Sequence, residues 1–120
     1  MITAIDFQDD NIVGFRMTGT ITKADIKPWA GKLDRKSDTL GKLRVYVEAD
    51  DMDAVTVKAA LTDLKFDVTH LGDFDKAAFV SDDTWTKIST FLADLVPGIH
   101  AKQFSLDEKE EARQWIKADK

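Results

Sequence analysis

Short runs with a hydrophobic period of two take turns with longer runs of period 3.6 along this chain, and that alternation limits the fold more than any other feature. ITAIDF (2–7) and IVGFRMTG (12–19) are rich in strand formers. They are separated by QDDN, whose Asp9, Asp10 and Asn11 supply the turn chemistry of a tight hairpin. In the second run Val13, Phe15 and Met17 alternate with Gly14, Arg16 and Thr18, so one face is predicted to be core and the other mostly polar. LRVYVE (43–48) repeats the pattern, with Leu43, Val45 and Val47 set against Arg44, Tyr46 and Glu48. KAAFV (76–80) is nearly continuous in its apolar character, as an interior strand would be, and IHAKQF (99–104) is the last strand expected.

The intervening segments read as helices. TKADIKPWAGKLDRKSD sets Ile26, Trp29, Ala30 and Leu33 on one face, with Thr22 and Asp25 as rival N-caps. If Asp25 is the cap, Pro28 falls in the first turn, where its missing N–H costs little; if Thr22 is, the helix carries a distortion there. Val57, Ala60, Leu61, Leu64 and Val68 follow the helical period up to a stop at Gly72, and Trp85, Ile88, Leu92 and Leu95 do the same up to Pro97 and Gly98. SLDEKEEARQWIKAD opens with a capping box, Ser105 and Glu108, and is expected to bury Ala112, Trp115 and Ile116.

The resulting order, β-β-α-β-α-β-α-β-α, predicts an α/β fold with a mixed sheet: an N-terminal hairpin followed by β-α units whose strands run parallel through right-handed crossovers. Polar faces on several strands favour helices mainly on one face of the sheet. At 120 residues the chain is a single domain, 1–120, long enough to bury roughly two thirds of its unfolded surface.

The stretch EADDMDAVT (48–56) follows directly on a strand, where an open α/β sheet keeps its ligands or its chemistry. A helix-loop-helix calcium site needs a central glycine and a closing bidentate glutamate, and DDMDAVTVKAAL has neither. Asp50, Asp51 and Asp53 stand instead where negative charge complements a helix dipole and satisfies free N–H groups. The six glycines, at 14, 19, 31, 41, 72 and 98, are scattered singly, so neither a P-loop nor a dinucleotide fingerprint is present. No nucleophile elbow surrounds Ser37, Ser81, Ser89 or Ser105. His70 at a helix end and His100 in a strand read as a cap and a half-exposed strand residue. No catalytic residue, metal site or cofactor is expected.

Seventeen basic and 22 acidic residues are interleaved for a net charge of −5, which lacks the electrostatic footprint of nucleic-acid binding. The absence of cysteine removes disulfides and thiolate chemistry and fits a reducing cytoplasm. MITAIDFQDDN has no signal-peptide pattern and no window is long enough to span a bilayer, so a soluble cytoplasmic protein is expected. Each tryptophan, Trp29, Trp85 and Trp115, lies on the apolar stripe of a different helix, which reads first as core packing. The sharper reading is an apolar pocket between helices, with Trp29, Phe66, Trp85 and Phe91 as its wall candidates. An edge strand or an incompletely covered sheet face would also suit a homodimer.

Four segments, GTITKADIKPW, KLRVYVEAD, HLGDFDKAAFVSDDTW and KQFSLDEKEEARQWI, in this order and spacing, resemble the SpoIIAA-like family, a branch of the STAS (sulfate transporter and anti-sigma factor antagonist) superfamily. The resemblance implies a β-α superhelix and a non-enzymatic role. In the sporulation regulators of that superfamily a serine in a D-S-S-G-like loop at the start of a helix is phosphorylated to switch partner binding. The corresponding loop here, DDMDAVT, has no serine and no glycine; Thr56 is its only hydroxyl. A phosphate beside Asp50, Asp51 and Asp53 would meet like charge, whereas a permanently acidic loop would imitate the phosphorylated state. SpoIIAA-like proteins also resemble the lipid-carrying CRAL-TRIO fold. Two expectations follow: a domain that holds a small apolar or lipid-like ligand between helices, or a protein-interaction module acting through loop 50–56.

Overall fold

The computed structural model describes residues 2–8, 11–19, 24, 25, 27–29, 31, 32, 35, 43–50, 74–81 and 100–118. Five strands, β1 (Ile2–Ile5), β2 (Ile12–Thr18), β3 (Leu43–Asp50), β4 (Phe74–Val80) and β5 (His100–Phe104), form one sheet in the order β1-β2-β3-β4-β5. β1 pairs antiparallel with β2 as the hairpin sequence predicts, and β2 through β5 are mutually parallel. This is the mixed sheet expected of a hairpin followed by β-α units.

The parallel register sorts the side chains into two layers. Val13, Val45 and Ala77 stand opposite one another in neighbouring strands, as do Phe15, Val47 and Phe79, and all six are buried. Trp29, in the helical segment that includes residues 27–29, lies on this face with its ring 5.1 Å from that of Phe15. The second layer runs Ile12, Arg44, Lys76, His100 in one row and Gly14, Tyr46, Ala78, Lys102 in the next; Arg16, Glu48, Val80 and Phe104 form the third.

Sequence alternation marks that second layer as a polar face, yet its centre is buried: Tyr46 is 0% exposed, and Glu48 and Lys76 are 4% exposed each. The reason is the C-terminal helix. A 3-10 turn (Leu106–Glu108) leads into an α-helix (Lys109–Lys117) that lays Ala112 and Ile116 onto Ile12, Tyr46, Ala78, Val80 and Phe104, with Ile5, Phe7, Leu106 and Trp115 around the rim. Ala112 and Ile116 are four apart, so they share one face of the helix. The expected capping box is present, with the Ser105 amide donating to Glu108 Oε1 at 2.9 Å. These bonds hold the Glu108 carboxyl below its ordinary range.

Element ends depart from the sequence reading in several places: β1 stops at Ile5 and β2 at Thr18, short of the runs 2–7 and 12–19. β3 runs on to Asp50, because parallel pairing with β2 continues as far as Asp50 opposite Thr18. β4 begins at Phe74, opposite Leu43, with a register irregularity between Leu43 and Arg44. Asp25 is already helical, as is Ala24, so Asp25 is not the N-cap. Pro28 therefore lies beyond the first turn and removes the backbone bond to the carbonyl four residues back. The helices expected over 57–68 and 85–95 lie outside the described residues.

Candidate functional site

The carboxyl ends of the parallel strands share one edge of the sheet, where Thr18, Asp50, Val80 and Phe104 close β2, β3, β4 and β5. A parallel sheet collects its strand-end loops on one side, so each such loop can contribute to a common surface. The edge is tied together by hydrogen bonds between β4 and β5. The Ser81 amide donates to the Phe104 carbonyl at 2.9 Å, and Gln103 Nε2 donates to the Ser81 carbonyl at 2.6 Å, which ties β4 to β5 one residue past the strand. Ser81 itself is buried.

Asp50 was expected in a helix-starting turn and instead ends the central strand, so the acidic stretch opens from a fixed backbone position beside Thr18. Asp51, Asp53 and Thr56 lie outside the described residues, as do Phe66, Trp85, Phe91 and His70. Of the four aromatic pocket candidates Trp29 alone is described; it is half-buried, tilted 42° against the Phe15 ring, with Lys32 Nζ 5.0 Å from its centroid. His100 is exposed on β5, level with Lys76. Among the described residues there is no group of three His, Cys, Asp or Glu side chains that could hold a metal ion, and no helix is long and apolar enough to cross a membrane.

Two residues before Asp50, β3 carries a buried carboxylate, bonded to a buried phenol and faced by two partly exposed cations, that alternation alone did not single out. Tyr46 Oη donates to Glu48 Oε2 at 2.8 Å, and Glu48 faces Lys109 Nζ at 3.4 Å and Arg113 Nη2 at 4.0 Å. Burial, and then the Glu48 carboxylate that accepts the phenol proton, push Tyr46 far above the ordinary phenol range. At the other end of the helix, Arg44 Nη1 donates to the carbonyls of Ile116 (2.9 Å) and Ala118 (2.6 Å). Lys76 Nζ donates to Trp115 (3.1 Å) and Ala118 (2.7 Å).

These contacts share one physical logic. The last carbonyls of a helix have no partner within it and carry the negative end of the dipole, so two cations from the sheet satisfy them. The buried carboxylate lies toward the N-terminal end, where negative charge is favoured. Sheet and helix are thus complementary in charge along the whole helix, and Glu48 links that clamp to the strand end that carries Asp50. A sequence signal for it existed in hindsight: charged residues at 44, 48 and 76 placed inside strands that are otherwise apolar.

A hairpin strand, four parallel strands in sequential order and a helix closing one face define a STAS-type α/β domain. The SpoIIAA-like family model matches residues 12–117, which is most of the chain, and the protein belongs to the SpoIIAA-like family of the STAS superfamily. Comparison with curated proteins finds none that matches. Membership supports a STAS-type regulatory or interaction module, and SpoIIAA-like STAS domains are generally non-enzymatic.

Proposed function

We propose that this domain is a non-enzymatic interaction module that offers the acidic strand-end segment, Asp50, Asp51, Asp53 and Thr56, to a protein partner in the manner of an anti-sigma-factor antagonist. One observation carries the reading: the acidic stretch leaves the sheet from the carboxyl end of its central strand, at a backbone position held by pairing with Thr18. A loop anchored on a paired strand end can present charge to a partner without first paying to order its base. The three aspartates supply negative charge permanently, where a phosphorylated hydroxyl would supply it on demand. The setting is the cytoplasm, which the thiol-free sequence suits.

The test is affinity capture with the intact chain from the source cytosol, comparing the natural sequence with Asp53→Ala and with Asp50→Asn. A partner retained by the natural chain and released by both variants supports the reading. An unchanged set of partners on both variants overturns it.

A second reading, a small apolar or lipid-like ligand walled by Trp29, Phe66, Trp85 and Phe91, draws support from Trp29, which is only half-buried beside Phe15. Native mass spectrometry of freshly purified protein separates the two. A co-purified apolar molecule favours the pocket, and a mass equal to that of the bare chain favours the interaction module.

A further inference from the structure

We propose that the flank of the C-terminal helix bearing Lys109, Arg113 and Lys117 is a second docking surface, and that it takes an extended acidic segment of a protein partner with carboxylates at every second residue. This surface is separate from the strand-end loop and does not depend on it. The three residues are spaced four apart, so they form one cationic stripe beside the buried Ala112 and Ile116. Lys117 is exposed, and the Lys109 and Arg113 side chains are 40% and 35% exposed.

The stripe is held in place. The Arg113 guanidinium lies 5.4 Å from the Phe7 ring centroid and 5.5 Å from that of Tyr46, and Lys117 Nζ lies 5.9 Å from Phe7. Such contacts reduce the entropy a cation loses when it meets a ligand. One carboxylate, Glu48, faces Lys109 and Arg113 from beneath and, as one negative charge against three positive ones, offsets only part of the stripe. The neighbouring Glu110 accepts from Gln114 Nε2 at 3.1 Å on the outer face of the helix.

Spacing and charge choose the occupant. Four helical residues advance about 6 Å, and two residues of an extended chain advance about 6.6 Å. Carboxylates on alternate residues of a strand therefore keep step with the three cations. A membrane or a nucleic acid would meet the whole acidic surface, with its net charge of −5. A short segment senses chiefly what lies within a Debye length of about 8 Å: the three cations, with Glu48 and Glu110 offsetting part of their charge.

The test is fluorescence anisotropy of the full chain with a fluorescein-labelled peptide of alternating glutamate and threonine, beside a peptide of the same composition with its glutamates in one block. We expect sub-millimolar binding of the alternating peptide that weakens about tenfold as salt rises from about 20 to about 200 mM. The block peptide should bind severalfold more weakly. Lys117→Glu should lower affinity by about fivefold, and Lys32→Glu, the same charge change on another helical segment, by less than about twofold. Should Lys117→Glu lose the near-UV circular dichroism of the natural chain, Lys117→Gln decides, with an expected loss of about twofold. No anisotropy change up to about 1 mM peptide, equal loss with Lys32→Glu, or binding to phosphatidylserine vesicles without binding to the peptide would each overturn the proposal.

Discussion

Replacing Tyr46 by phenylalanine removes one oxygen from a buried hydrogen bond to a carboxylate and leaves the ring where it is. The phenol and Glu48 are both buried, and their bond is 2.8 Å long. The phenylalanine ring would keep the edge-on contact with Phe7, whose centroid is 5.2 Å away. What is lost is a hydrogen bond to a charged acceptor, worth about 1.5–3 kcal/mol, and the carboxylate stays behind in a buried site. Lys109 at 3.4 Å and Arg113 at 4.0 Å still face it, which moves the cost toward the lower half, about 2 kcal/mol. In a domain of this size that lowers Tm by about 8 °C. Urea unfolding followed by tryptophan fluorescence should show the midpoint falling with the slope unchanged. Glu48→Gln in both backgrounds should give a coupling of at least about 1 kcal/mol. A Tyr46→Phe midpoint equal to or above that of the natural protein would refute the account of why a polar strand face is buried here.

Lys76→Met loses both bonds to the helix end and the ammonium that lies 4.7 Å from the Trp115 ring centroid; because Ala118 O still accepts from Arg44, we expect a loss of about 1–2 kcal/mol in urea unfolding. Gly14→Ala would put a methyl 2.6 Å from Phe7 Cε2 and 2.9 Å from the Ile5 carbonyl, and since backbone cannot swing aside, thermal unfolding should show about 1–3 kcal/mol of destabilisation. Tyr46 is the sole tyrosine, so tyrosinate absorbance reports one group. Its folded pKa is raised, so its contribution to stability is fully present below the ordinary phenol pKa and is lost as pH climbs above it. The absorbance should therefore rise together with loss of the circular dichroism signal, and a tyrosinate signal in a chain that is still folded would contradict the burial.

The sheet was legible because period-two runs and turn residues state strand positions locally. The hairpin, the five strands and the capping box at Ser105 all depend on neighbours within a few residues. The burial of Tyr46, Glu48 and Lys76 does not. Whether an alternating strand face meets water is decided by a helix about 30 to 70 residues further along, and no local pattern announces where that helix lands. For the same reason the sequence pointed to Asp50 but assigned it to a helix start: how far β3 extends depends on its pairing with β2. Among the aromatics, Trp29 is half-buried with its ring 5.1 Å from that of Phe15, and the other residues of its expected stripe lie outside the described residues.

Hydrogen–deuterium exchange of the intact chain, with and without its captured partner, tests the interaction reading most directly. Amides of residues 48–56 should exchange more slowly in the complex while those of β2 and β4 stay as they were. Unchanged exchange across 48–56, with protection confined to segments around Trp29, Trp85 or the C-terminal helix, would contradict it.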